Sequence, residues 1–212
     1  MEKVRSIGMK RFHSIMLALR EGGASTMKAL QGIVTNHAVL RGMLETMESE
    51  GLIEIKVAVS DRKTVGASLT PKGRAVADLL RDADLMVYRG DPDEPRGLDE
   101  RKAADILIRL LDGPALQGDL MRVARSFGTV KKALGALDGD GLIAIESGGR
   151  EIRVALTPLG ERVARILAEA REAIASERAA EKGKGFGRGL PGSFRFRLPR
   201  PGSSPGRRRR TL

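Results

Sequence analysis

The residues of this chain that could do chemistry are mostly cations, and they are unevenly spread. Lys182 to Leu212 holds ten basic residues: Lys182, Lys184, Arg188, Arg195, Arg197, Arg200, Arg207, Arg208, Arg209 and Arg210. It holds no acidic residue. The whole chain of 212 residues has 38 Lys and Arg against 27 Asp and Glu, a net charge of +11. Residues 1–181 therefore keep 28 basic and 27 acidic residues, a net of +1. A tail of this kind suits neutralisation of phosphates, with Phe186, Phe194 and Phe196 available to stack on bases. The near-neutral body can bind an anion only where charge is placed locally.

Other chemistries find little material. The chain has no Cys, which removes thiolate nucleophiles, thiolate metal sites and disulfides. Its two His, His13 and His37, are too few for a His-built zinc site. No glycine loop sits between a strand and a helix to cradle phosphate, and no Ser-His-Asp set is evident. The expectation is a binding protein, not an enzyme, with no cofactor and no metal. No apolar run is long enough to cross a bilayer, and Met1 to Arg5 lacks a signal-peptide core. A soluble cytoplasmic protein that does not bind membrane is expected.

The elements that must position the cations read as a duplication. Gly51-Leu52-Ile53 and Leu69-Thr70-Pro71-x-Gly73 return as Gly141-Leu142-Ile143 and Leu156-Thr157-Pro158-x-Gly160. In the first copy, apolar spacing predicts helices over 3–21, 25–34 and 36–50, the second capped by Ser25. Alternation over 52–59 and a return over 64–69 predict two strands around a polar turn. Thr70-Pro71 then starts a helix. The second copy predicts helices over 99–112, 115–125 and 128–140, a hairpin across Ser147 to Arg150, and a last helix over 158–182. The domain plan is thus 1–87, a linker at 88–98, 99–182, and a tail at 183–212 that reads as disordered in isolation. Met16, Met27, Met43 and Met47 read as core filling, and His13 as structural.

Leu44 to Ile53, followed by Leu69-Thr-Pro-Lys-Gly-Arg74 and echoed by Leu137 to Ile143 and Leu156-Thr-Pro-Leu-Gly-Glu161, resembles the MarR and PadR-like transcription regulators. The resemblance covers roughly residues 10–180. It implies an α+β, mostly α fold of two winged helix-turn-helix domains in tandem, each with three helices, a two-stranded wing and a C-terminal helix. It also implies double-stranded DNA as partner and a nucleoid-associated location. Carried onto this chain, it points to Asn36, His37 and Arg41 on the third helix of the first copy. In the second it points to Thr129, Lys131 and Lys132, with Arg122 and Arg125 just before. Wing contacts would come from Arg62, Lys63, Arg150 and Arg153. Arg188, Arg195, Arg197 and Arg207 to Arg210 would form the arm.

Three further expectations stand beside this one. The acid-rich end of the first copy's third helix (Glu45, Glu48, Glu50) suits a protein-interaction scaffold of the chromosome-segregation or complex-assembly type. The tail alone suits RNA or ribosome association. The stripe Val163, Ile166, Leu167, Ala170 and Ile174 on the last helix suits either a homodimer or packing within its own domain. Between the copies, the second is the expected DNA reader because it carries the Lys pair.

Overall fold

The computed structural model describes residues 4–58, 64–88, 96–148 and 151–182. Eight α-helices and two three-stranded antiparallel sheets fall within them, an α+β class that is mostly helical. The first half runs 3-10 turn η1 (Ser6–Gly8), α1 (Phe12–Gly22), β1 (Ala24–Thr26), α2 (Met27–Leu30) and α3 (His37–Ser49). It continues through β2 (Ile53–Ala58) and β3 (Thr64–Leu69) to α4 (Pro71–Val87). The second half repeats the order with η2 (Gly97–Asp99), α5 (Ala103–Leu110), β4 (Ala115–Leu116), α6 (Gln117–Ala124) and α7 (Phe127–Gly139). Strands β5 (Ile143–Gly148) and β6 (Glu151–Leu156) then lead to α8 (Pro158–Lys182). The sheets are ordered β1-β3-β2 and β4-β6-β5.

The repeated words have a common physical cause. Gly51 and Gly141 end the third helices at φ 70° and 67°, a conformation that costs glycine little. The Thr70 hydroxyl accepts from Gly73 N at 2.9 Å and donates to Gly51 O at 2.6 Å. Thr157 does the same with Gly160 N at 3.0 Å and Gly141 O at 2.7 Å. Each threonine thus caps one helix and ties it to the end of another. A Cβ on Gly73 would overlap the carbonyl of Leu52, and one on Gly160 the carbonyl of Leu142. The glycine of Thr-Pro-x-Gly is therefore set by close approach to the strand start.

The first helix of each half differs from the sequence pattern. One helix was expected over 3–21, yet the chain breaks between η1 and α1, where Arg11 takes a left-handed φ of 64°. The break is fixed from outside the segment, since Arg11 N donates to Asp99 O at 2.9 Å. Lys102 repeats it at φ 69° before α5, donating to Gly8 O at 3.0 Å. The expected second helices are shortened by β1 and β4, which pair with β3 and β6. Thr26, not Ser25, caps α2, accepting from Ala29 N. Each hairpin therefore gains a third strand.

One apolar cluster runs through both halves. Met16, Met43 and Met47 are buried in it, and Met27 packs at its edge. Helix α4 packs along α8, and Val163, Leu167, Ala170 and Ile174 are buried inside the chain. That stripe packs at home. Of the expected linker, Tyr88, Gly97 and Leu98 are buried. The Tyr88 hydroxyl donates to Asp140 Oδ2 at 2.6 Å, and Arg96 lies 5.6 Å from the Tyr88 ring centre. Burial and the Asp140 carboxylate push the Tyr88 phenol well above the usual tyrosine range. His13 is also buried, with Nε2 3.5 Å from Asp84 Oδ1, an oxygen that Arg96 Nη1 approaches at 3.2 Å.

Candidate nucleic-acid interface

The candidate residues of the first half sit on α3. Asn36 is its N-cap, and its Oδ1 accepts from Val39 N at 3.1 Å. That bond satisfies an orphan donor of the first turn, so the Asn36 side chain is a structural cap first. His37, Val39 and Arg41 are exposed on the first turns. Arg41 Nε contacts Glu45 Oε1 at 2.9 Å, an exposed pair one helical turn apart. Such pairs contribute little to stability and release readily.

The three glutamates at the end of α3 do three different things. Glu45 lies beside Arg41. Glu48 Oε1 accepts from Ile55 N at 3.0 Å, covering a donor on the outer edge of β2. Glu50 is buried and turns inward, accepting from Arg5 N at 2.8 Å and Ser6 N at 3.3 Å. Only Glu45 and Glu48 face solvent, and their face is net acidic even with Arg41 included.

Helix α7 presents a different surface at the equivalent positions. Lys131 and Lys132 are exposed, and Thr129 is half-buried behind them. Gly128, Gly135 and Gly139 are exposed with open space where a Cβ would stand. At 3.6 residues per turn, 128, 131, 132, 135 and 139 share one stripe. The face is therefore largely bare backbone, with two ammonium groups projecting from its first turns and Asp138 exposed near its end. Ser126 stands at the N-cap of α7 without a side-chain cap bond, unlike Asn36. Arg122 on α6 and Arg125 at its left-handed end, φ 57°, are exposed just before this turn. Four cations thus stand on the α6–α7 corner, and α6 packs on α7. Uncapped N–H groups and nearby cations together suit a phosphate oxygen.

The hairpin residues divide. Arg62, Lys63 and Arg150 lie outside the described residues, as do the tail arginines Arg188, Arg195, Arg197 and Arg207 to Arg210. Arg153 is on β6, opposite Glu146 on β5 and Leu116 on β4. It lines an open cleft of about 610 Å³ with Arg109, Asp119 and Glu151. Its surroundings are mixed in charge and do not include the α7 lysines.

Phe127, the first residue of α7, is 57% exposed beside the lysine face and was not among the expected site residues. In sequence it falls in phase with Val130, Leu134 and Leu137, so it reads as core; the structure places it one turn beyond the core's edge. No protein-family model matches the chain, and no curated protein matches it. Among the described residues no helix is long and apolar enough to cross a membrane.

Proposed function

We propose that the chain is a DNA-binding transcriptional regulator of two winged helix-turn-helix repeats, with its basic tail as a non-specific arm on duplex DNA. The observation that carries this reading is the exposed α7 stripe, where Lys131 and Lys132 rise from bare glycine backbone beside Arg122 and Arg125. Low relief lets a helix approach a groove closely, and ammonium groups answer the phosphates on its walls. The protein acts by binding, without a cofactor, at the nucleoid. Fluorescence anisotropy on random duplex across salt tests it, comparing the full chain with Lys131→Glu/Lys132→Glu. The variant is expected to bind at least tenfold more weakly on the usual scale of lost charge contacts. Equal affinity would remove α7 as a DNA contact.

One observation favours a second reading, that of a protein-interaction scaffold. The α3 face carries Glu45 and Glu48 with its one cation already paired. A body, residues 1–181, that binds no duplex even at low salt would favour this reading, leaving the tail as the nucleic-acid contact, RNA included.

A further inference from the structure

Two of the backbone hydrogen bonds between the halves are reciprocal. Arg11 N donates to Asp99 O at 2.9 Å, and Lys102 N donates to Gly8 O at 3.0 Å. Arg11 and Lys102 are equivalent residues, the left-handed positions before α1 and α5. Gly8 and Asp99 are equivalent too, each closing its 3-10 turn. So η1 seats on α5 while η2 seats on α1. Each turn is anchored to its own half in the same manner. Glu50, after α3, accepts from Arg5 N and Ser6 N; Asp140, after α7, accepts from Gly97 N at 2.8 Å. Lys72 Nζ at the start of α4 reaches Ile174 O, far along α8, at 2.8 Å, so the two helices run antiparallel. Where patch i meets j and j meets i, the relation is isologous and closes as a two-fold. A head-to-tail relation would leave one member of each pair unmatched.

The polar contacts at this axis have changed sides between the two copies. At one seat Asp99 accepts from Ser14 N at 2.9 Å and from the Ser14 hydroxyl. At the other, Gly8 stands in the place of Asp99 and Asp105 in the place of Ser14. Asp105 is held there by Lys102 Nζ at 2.6 Å and Arg171 Nη2 at 3.0 Å. A Cβ on Gly8 would run into the Asp105 carboxylate. Two first halves would set Gly8 against Ser14 and leave a gap. Two second halves would set Asp99 against Asp105, two buried carboxylates facing each other. The halves fit each other and not themselves, which is specificity by exclusion.

We propose that one chain, and not a dimer, engages one duplex across two unlike half-sites in inverted orientation. This rests on the DNA reading above and adds its stoichiometry and target symmetry. A two-fold relation between the halves is what would set the half-sites of α3 and α7 in inverted orientation. Their faces differ at each equivalent position: Val39 against Thr129, Arg41 against Lys131, Gly42 against Lys132, Glu45 against Gly135. The α7 half supplies the ammonium groups of Lys131 and Lys132 together with the guanidinium groups of Arg122 and Arg125. The α3 half offers His37 and the guanidinium of Arg41 to bases. The two half-sites therefore meet unlike side chains, His37 and Arg41 beside two glutamates under α3 and four cations under α7.

Two measurements on the full chain test this. The first is a thermal-unfolding cycle at the axis. Gly8→Asp puts a carboxylate against Asp105 and lowers Tm by on the order of 10 °C. Gly8→Asp/Asp105→Ser recreates the Asp99–Ser14 contact and recovers at least half the loss. A double variant no more stable than Gly8→Asp overturns the two-fold. The second is site selection from random duplex, followed by sedimentation of the complex. One chain per duplex and a non-palindromic site are expected. Scrambling one half-site should weaken binding roughly tenfold more than scrambling the other. A perfect palindrome or two chains per duplex overturns the inference while leaving the DNA reading intact; no duplex complex at all takes down both.

Discussion

At the residue scale the clearest constraints are on glycines, and they pull in opposite directions. Gly73 has no room for a Cβ because the Leu52 carbonyl occupies the space. Gly73→Ala is expected to cost about 3 kcal/mol, the upper end for overpacking, measured by urea unfolding. Gly135 has open space in mid-helix. Gly135→Ala should stabilise the chain by about 1 kcal/mol in the same assay. If α7 lies close in a groove, the added methyl should also weaken duplex binding. Gain in both stability and affinity would show that the bare face is not used. Tyr88 gives a third test. It is the only tyrosine and the chain has no Trp, so phenolate absorbance reports on it alone. Its folded pKa lies above the unfolded value near 10, so its contribution is complete below pH 10 and is lost as pH rises. Tyr88→Phe should cost about 1–2 kcal/mol at pH 7, since Asp140 loses its hydroxyl partner. That gap should shrink by about 1.4 kcal/mol by pH 11. A gap that stays constant with pH would mean that the phenol titrates freely in the folded chain.

At the element scale, what was legible was whatever a short stretch decides for itself. Gly51-Leu-Ile and Thr70-Pro-x-Gly fix their own conformations through a positive φ, a capping hydroxyl and a close carbonyl, so both copies could be read directly. The third helices matched to within about a residue because Asn36 and Gly51 bracket α3 locally. What was hidden depends on distant partners. The left-handed turn at Arg11 is held by Asp99, 88 positions away, and no local pattern announces it. Strands β1 and β4 are three and two residues long, too short for alternation to show, and exist because β3 and β6 offer them an edge. The candidate site was legible in part for the same reason. Lys131 and Lys132 follow from helix phase alone. Asn36 also caps α3 through its bond to Val39 N, and Arg153 lies on the β5–β6 hairpin beside a cleft of mixed charge; neither surrounding could be read from the sequence.

At the scale of the whole molecule, duplication was visible in the sequence but the relation between copies was not, because Gly8 and Asp99, or Ser14 and Asp105, are equivalent only in place. The same scale separates body from tail. Residues 1–181 carry a net of +1, while the tail carries ten cations and no acid. On the proposed function, duplex affinity of a body of that charge would come from local placement on α6 and α7, and the tail's share from charge density alone. Each phosphate neutralised on duplex contributes about 0.9 to the slope of log affinity against log salt. If half of the tail's charges engage, a chain ending at Glu181 should lose roughly 4 to 5 units of slope and much of its low-salt affinity. Its preference among duplex sequences should be unchanged, because phosphate contacts add affinity to every sequence alike. Anisotropy titrations on a selected and a scrambled duplex, at several salt concentrations, measure both quantities at once. Loss of sequence preference on truncation would mean that the tail reads bases, and that the body alone does not carry the recognition assigned to α3 and α7.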